Sequence, residues 1–210
     1  MNTDHAVRAV IWDMGGVLVR NMAPEPRHRL AKKYGISEPQ LENLVFANPV
    51  SAKATVGNAS VEELWEYVAQ TLHVDPKELP GLESDFWSSD RVDEDLVDFI
   101  QSLRSSYKTG LLSNAFSDTR QSLNSRFPRL LPIFDVSLFS AEVGLAKPDP
   151  RFYQLILDKL GIKADEAVFV DDFIENVKGA CALGIKGVHF KNSQQVRQAV
   201  LEELCSNGAE

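Results

Sequence analysis

Cysteine is almost absent from this 210-residue chain. Only Cys181 and Cys205 occur, far apart and outside any CxxC spacing. That excludes a disulfide scaffold and a thiolate zinc site, and it predicts a reducing, cytoplasmic compartment. Histidine is equally sparse: His5, His28, His73 and His189 stand apart, and none belongs to an HExxH or HxH pattern, so no imidazole metal site is expected. No apolar run approaches the ~18 residues of a membrane span, and MNTDHAVRAV lacks the basic stretch and long apolar core of a secretory leader. The expectation is a chain neither exported nor membrane-bound. Positive charge is in the minority, with 22 Lys and Arg against 30 Asp and Glu and a net charge of −8. Nucleic acid and anionic membrane are therefore poor partners, and a small molecule fits better.

What is present is an ordinary globular composition, 44% hydrophobic and 25% charged, in a chain long enough to bury roughly 70% of its unfolded surface. Short apolar runs at Val7 to Trp12, Thr109 to Leu112, Phe134 to Phe139, Ala167 to Val170 and Gly187 to Phe190 alternate with helical patterns. That alternation predicts a Rossmann-like parallel α/β sheet with helices on both faces. Asp149 and Pro150 occupy the N-cap and first helical positions before RFYQLILDKL, and Gly161 falls where a left-handed terminator belongs. Leu96, Val97, Ile100 and Leu103 recur at helical spacing within Val92 to Ser106.

Between the first strand and that helix lie roughly seventy residues without a convincing strand, far more than a crossover needs. Ser37 with Gln40, Ser60 with Glu63, and Asp75 with Pro76 and Glu78 fit helix-capping patterns ahead of apolar residues. The reading is a helical insert at 20–89, set into a core formed by 1–19 and 90–210.

Ligands of open α/β sheets bind beyond the carboxyl ends of the strands, where strand order reverses. Those ends carry Asp13, then Ser113 and Asn114, then Asp171 and Asp172, while Lys147 sits in the loop GLAKPDP ahead of a helix. Taken singly, Asp13 is a turn former before Gly15 and Gly16, Ser113 and Asn114 are caps, and Lys147 is a solvated lysine. If the strands are neighbours, three carboxylates converge, and carboxylates about 4 Å apart repel by roughly 4 kcal/mol at an effective dielectric near 20. Mg²⁺ suits such a site, with one carboxylate attacking phosphorus while the metal and Lys147 stabilise the transferring group.

These residues resemble the four motifs of the haloacid dehalogenase superfamily: WDMGGVLV the first, LLSNAF the second, the lysine of GLAKPDP the third and FVDDFIENV the fourth. The subgroup most similar contains the phosphatase domain of bifunctional epoxide hydrolases and the glucose-1-phosphatase-like enzymes, in which a C1 helical cap follows the first strand. The resemblance implies a Mg²⁺-dependent phosphomonoester hydrolase of a small phosphorylated metabolite, a sugar phosphate or similar. Asp13 would be the nucleophile, Ser113 and Asn114 with Lys147 would hold the phosphate, and Asp13, the Gly15 carbonyl, Asp172 and Asp171 would bind or support the metal, with Asn176 behind them. It leaves monomer or homodimer open.

One departure from the pattern concerns Gly15, where most phosphatases of the family carry a second aspartate that protonates the leaving group. Loss of such a general acid typically costs 10²- to 10⁴-fold. A metal-independent 2-haloacid dehalogenase and an impaired phosphate-binding member are the alternatives, and the Asp171–Asp172 pair argues against the first because it would repel a departing halide. Arg20, Arg27, His28, Trp65 and Trp87 are the insert's candidate contacts to a leaving group, but Arg and His on a helix are more often solvated and Trp more often core, so none of them is assigned to the site.

Overall fold

The computed structural model describes residues 6–205, so His5 lies outside the described residues. The elements run β1 (Ala9–Trp12), β2 (Val19–Asn21), α1 (Glu25–Lys33), α2 (Glu38–Phe46), α3 (Pro49–Thr55), α4 (Val61–Thr71), α5 (Leu79–Trp87), β3 (Asp90–Val92) and α6 (Glu94–Leu103). They continue with β4 (Lys108–Ser113), α7 (Thr119–Arg126), β5 (Val136–Phe139), α8 (Ser140–Val143), α9 (Pro150–Leu160), β6 (Ala167–Asp171), α10 (Ile174–Cys181), β7 (Lys186–His189) and α11 (Ser193–Cys205).

Five strands form one parallel sheet in the order β5-β4-β1-β6-β7. Successive side chains of a strand point to opposite faces. Along β1, Val10 and Trp12 therefore join the core beneath α6 and α11 with Leu96, Ile100, Val196 and Val200. Ala9 and Ile11 join the opposite core with Phe152, Ile156 and Leu160 of α9 and Ala180 of α10. Burial on both faces is why these strands read as continuous apolar runs. Helix α9 begins and ends as its sequence dictates: Asp149 accepts from the Arg151 N–H and Gly161 terminates it at φ 64°.

The segment between β2 and β3 holds five helices around a separate apolar cluster of Leu30, Leu41, Leu64, Trp65, Leu82 and Phe86, joined by Phe116 from the loop after β4. Ser37 and Ser60 each make the reciprocal capping box with the residue three positions on. Asn48 with Ser51 makes a third box, ahead of α3, which the sequence reading missed. Asp75 caps only the 3-10 turn Pro76–Glu78 that leads into α5. Strands β2 and β3 pair antiparallel, so Arg20 and Asn21, assigned to the insert from sequence, lie in a ribbon that carries it. Phe134 and Phe190 lie outside the strands expected to contain them.

Candidate active site

Strand β1 lies between β4 and β6, the point where the connections diverge, and its carboxyl end delivers Asp13. The Asp13 N–H still follows the sheet, donating to the Val170 carbonyl at 2.8 Å. A compact turn follows, with Leu18 N–H and Val19 N–H both donating to the Met14 carbonyl at 2.8 and 2.9 Å. It turns the chain into β2.

Lys147 joins the two flanking strands to Asp13. Its Nζ donates to Asp13 Oδ1 at 2.6 Å and to Asp171 Oδ2 at 2.7 Å, with all three side chains buried. The loop is pinned by Asn114, whose Nδ2 donates to the Lys147 carbonyl at 2.9 Å and whose Oδ1 accepts from the Lys147 N–H at 2.8 Å. The Asn114 amide therefore positions lysine. Ser113 is buried beside it, and its hydroxyl reaches the Asn114 carbonyl at 3.5 Å. Ser140 holds the same loop from the start of α8, accepting from the Ala115 N–H at 2.9 Å and donating to the Ala115 carbonyl at 3.2 Å.

The two adjacent aspartates have different surroundings. Asp171 is saturated: Oδ1 accepts from the Phe173 N–H at 2.7 Å, Oδ2 from Lys147, and Asn176 Nδ2 lies 3.1 Å from both oxygens. Asn176 is held in turn by Tyr153, whose hydroxyl donates to its carbonyl at 2.8 Å. Asp172 has a buried Oδ1 with no hydrogen-bond partner, and its main-chain carbonyl accepts from His189 Nε2 at 2.9 Å. One oxygen from each of Asp13, Asp171 and Asp172 falls within a 4.8 Å cluster. Burial, only partly offset by Lys147, pushes the Asp13 carboxyl up to about 7. Burial and the Asp171 charge push Asp172 up to about 6.

Three carboxylates against one ammonium leave two uncompensated negative charges when all are ionised. A buried, unpartnered carboxylate oxygen among hard oxygen donors fits a divalent cation of the Mg²⁺ type. Sequence pattern marks these four charged residues but neither Gly16 nor His189. A Cβ on Gly16, at φ 75°, would lie 2.0 Å from Asp172 Oδ2, so glycine is required there. The Gly-Gly pair signalled only a turn, and His189 carried no signal. The candidate contacts Arg20, Arg27 and His28 are engaged elsewhere. Arg20 pairs with Asp93, Arg27 with Glu42 at 2.9 Å and Asp90 at 2.7 Å, and His28 with Glu38 at 2.9 Å. A groove of about 670 Å³ lined by Asp95, Ser193, Arg197, Leu201 and Cys205 contains none of the catalytic candidates.

A parallel sheet bearing an aspartate at its central strand end, a buried lysine bridge and a paired acidic motif defines the class. The model of the haloacid dehalogenase-like hydrolases matches residues 7–184, and the chain belongs to that family. It is a hydrolase. It is 40% identical over 77 residues to a phosphatase of Mycobacterium tuberculosis, covering 37% of this chain and 36% of that protein. It is 38% identical over 76 residues to bifunctional epoxide hydrolase 2 of Mus musculus, covering 36% of this chain and 14% of that one. The matched segments thus span well under half of these relatives. A HAD family enzyme from Bacteroides thetaiotaomicron, solved with magnesium and inorganic phosphate, superposes with a TM-score of 0.72 at 24% identity over 89% of this chain and 95% of that one. The L-2-haloacid dehalogenase of Xanthobacter autotrophicus gives 0.68 at 22% identity over 94% and 84%. Both structures share the fold. Among the described residues no helix is long and apolar enough to cross a membrane.

Proposed function

We propose that this hydrolase is a Mg²⁺-dependent phosphomonoesterase that works through an aspartyl-phosphate on Asp13. The observation that supports the reading best is the division of labour between the adjacent acids, with Asp171 saturated by Lys147 and its neighbours and Asp172 presenting an unpartnered oxygen beside Asp13. In a halide-releasing enzyme that spare negative charge would oppose the reaction. In a metal-assisted phosphatase it has a use.

In this reading Asp13, Asp172 and the Gly15 carbonyl would hold Mg²⁺, with Asp171 supporting its waters and Asn176 orienting Asp171. When bound, the ion would neutralise phosphate charge as it develops. Lys147 holds Asp13 Oδ1 in place and meets the phosphoryl oxygens with the Ser113 hydroxyl and the Asn114 main-chain N–H. The free carboxylate oxygen of Asp13 attacks phosphorus, the bond to the ester oxygen breaks, and the leaving group departs with the bonding pair. Water then attacks phosphorus, the bond from phosphorus to Asp13 breaks, and phosphate leaves with the carboxylate restored. Gly15 supplies no proton to the leaving alkoxide, so rates should depend steeply on leaving-group acidity. The helical insert would act as a cap that closes over the bound ester and excludes water from the first step.

The test is acid quenching of the Mg²⁺-loaded enzyme during turnover of a labelled aryl phosphate. Label on the peptide containing Asp13 supports the reading; phosphate release without labelled protein, or label on another residue, contradicts it.

A further inference from the structure

Five large apolar side chains are exposed among the described residues: Met22, Phe46, Phe173, Ile174 and Leu201. All but Leu201 lie on segments that lead away from the active site or into the insert above it. Phe173 directly follows Asp172 and is 64% exposed, and Ile174 opens α10 beside it. Phe46 ends α2 in the insert, is 50% exposed, and stacks on Phe116 with ring centroids 6.3 Å apart and planes 11° from parallel. Phe116 stands two residues after Asn114. Trp87 makes an edge contact with Phe46 at 5.8 Å.

Strands β4 and β6 flank β1, so the loop carrying Phe116 and the loop carrying Phe173 leave the sheet on opposite sides of Asp13, about 10 Å apart at ordinary strand spacing. A half-exposed ring is therefore carried on each flank of the position where phosphorus would sit, Phe46 backed by the buried Phe116 on one and Phe173 on the other. The insert's polar candidates do not serve that space, since Arg20, Arg27 and His28 are committed to Asp93, to Glu42 and Asp90, and to Glu38. A polyhydroxylated leaving group needs donors and acceptors in return for those it gives up to water. Exposed apolar surface gathered beside a reactive centre marks a ligand site of the opposite character.

We infer that the leaving group is an apolar organic moiety, aliphatic or aromatic and several carbons long, gripped between Phe46 with Phe116 on one side and Phe173 on the other. The inference rests on the phosphatase reading and names its substrate class: apolar phosphomonoesters in place of sugar phosphates.

The test is kcat/KM with Mg²⁺ for n-alkyl phosphates from propyl to octyl, below their micellar concentrations, beside glucose 6-phosphate, which also releases a primary alkoxide. Alkoxide basicity is nearly constant along the alkyl series, so a change reports the apolar contact. A fully buried methylene is worth about fourfold, and half-buried ones about twofold, so kcat/KM should rise roughly two- to fourfold per carbon and pass glucose 6-phosphate. Phe46→Ser and Phe173→Ser should each flatten the rise, whereas Leu201→Ser on α11 should leave it intact. A flat or falling series, or glucose 6-phosphate preferred over octyl phosphate, overturns the inference while the phosphatase reading stands. A rise that survives both Phe variants overturns the assignment of these residues. No Asp13-dependent release from any ester overturns the phosphatase reading and this inference with it.

Discussion

Gly16 and Asp172 come together so closely that a single methyl group cannot stand between them: a Cβ at Gly16 would overlap Asp172 Oδ2 at 2.0 Å. The absence of that carbon lets the acidic end of β6 approach the turn after Asp13. Gly15, one residue earlier, differs in both respects. Its φ lies outside the left-handed region, and nothing lies within 4 Å of its Cβ position.

Adjacent substitutions should therefore diverge. Gly16→Ala imposes a left-handed alanine and displaces the Asp172 carboxylate, with an expected stability loss of about 1–3 kcal/mol and a Mg²⁺ affinity at least tenfold lower. Gly15→Ala should change both by little. Denaturation and calorimetric titration of the two variants check this, and equal behaviour would mean that the contact does not matter.

The open space at Gly15 also admits a carboxyl group. Gly15→Asp should speed hydrolysis of alkyl phosphates by roughly 10- to 100-fold, short of the full 10²–10⁴ because the new acid lacks a tuned environment. Aryl phosphates, whose leaving groups need little protonation, should change less. A Brønsted plot of kcat/KM against leaving-group pKa should become shallower, and an unchanged slope would show that no proton is transferred from this position.

His189 acts through Asp172, donating from Nε2 to its main-chain carbonyl at 2.9 Å. His189→Leu should weaken Mg²⁺ binding by about 10- to 100-fold, the usual effect of losing such a support, and His189→Gln should recover part of it. Metal affinity measured by calorimetry separates this positioning role from simple packing, which glutamine would not restore.

Burial raises the Asp13 carboxyl from 3.8 to about 7 in the metal-free protein. A carboxylate raised on folding contributes stability that is fully present below its unfolded pKa and is lost as pH climbs through the folded one. Metal-free wild type should therefore lose stability steadily between about pH 4 and 7, most steeply midway between those values, and level off above. Asp13→Asn, which cannot ionise, should be the more stable protein at pH 8, by on the order of 2 kcal/mol or roughly 4–8 °C in Tm. Melting curves in EDTA at pH 5 and pH 8 test the sign, and a destabilised variant at pH 8 would refute it.

The charged residues of the site were legible because each ends a strand or precedes a capped helix, positions that local pattern marks. Parallel order was legible too, from apolar runs alternating with helices such as α9, whose Asp149 and Gly161 bound it as expected. The ribbon of β2 and β3 was not, because three-residue strands give no period and their pairing joins Arg20 to Arg91 across the whole insert. The engagement of Arg20 and Arg27 was equally hidden, since Asp93 and Asp90 become their partners only once that ribbon forms. Gly16 and His189 both act on Asp172 from more than fifteen residues away in sequence, and such contacts have no local signature.

The most direct test of the account is phosphate release from an aryl phosphate by wild type and Asp13→Asn, each with Mg²⁺ and with EDTA. The result expected is turnover by wild type with Mg²⁺ alone, and a loss of at least 10³-fold in the variant with its fold intact. Wild-type turnover that survives EDTA, or an Asp13→Asn enzyme within tenfold of wild type, would contradict it.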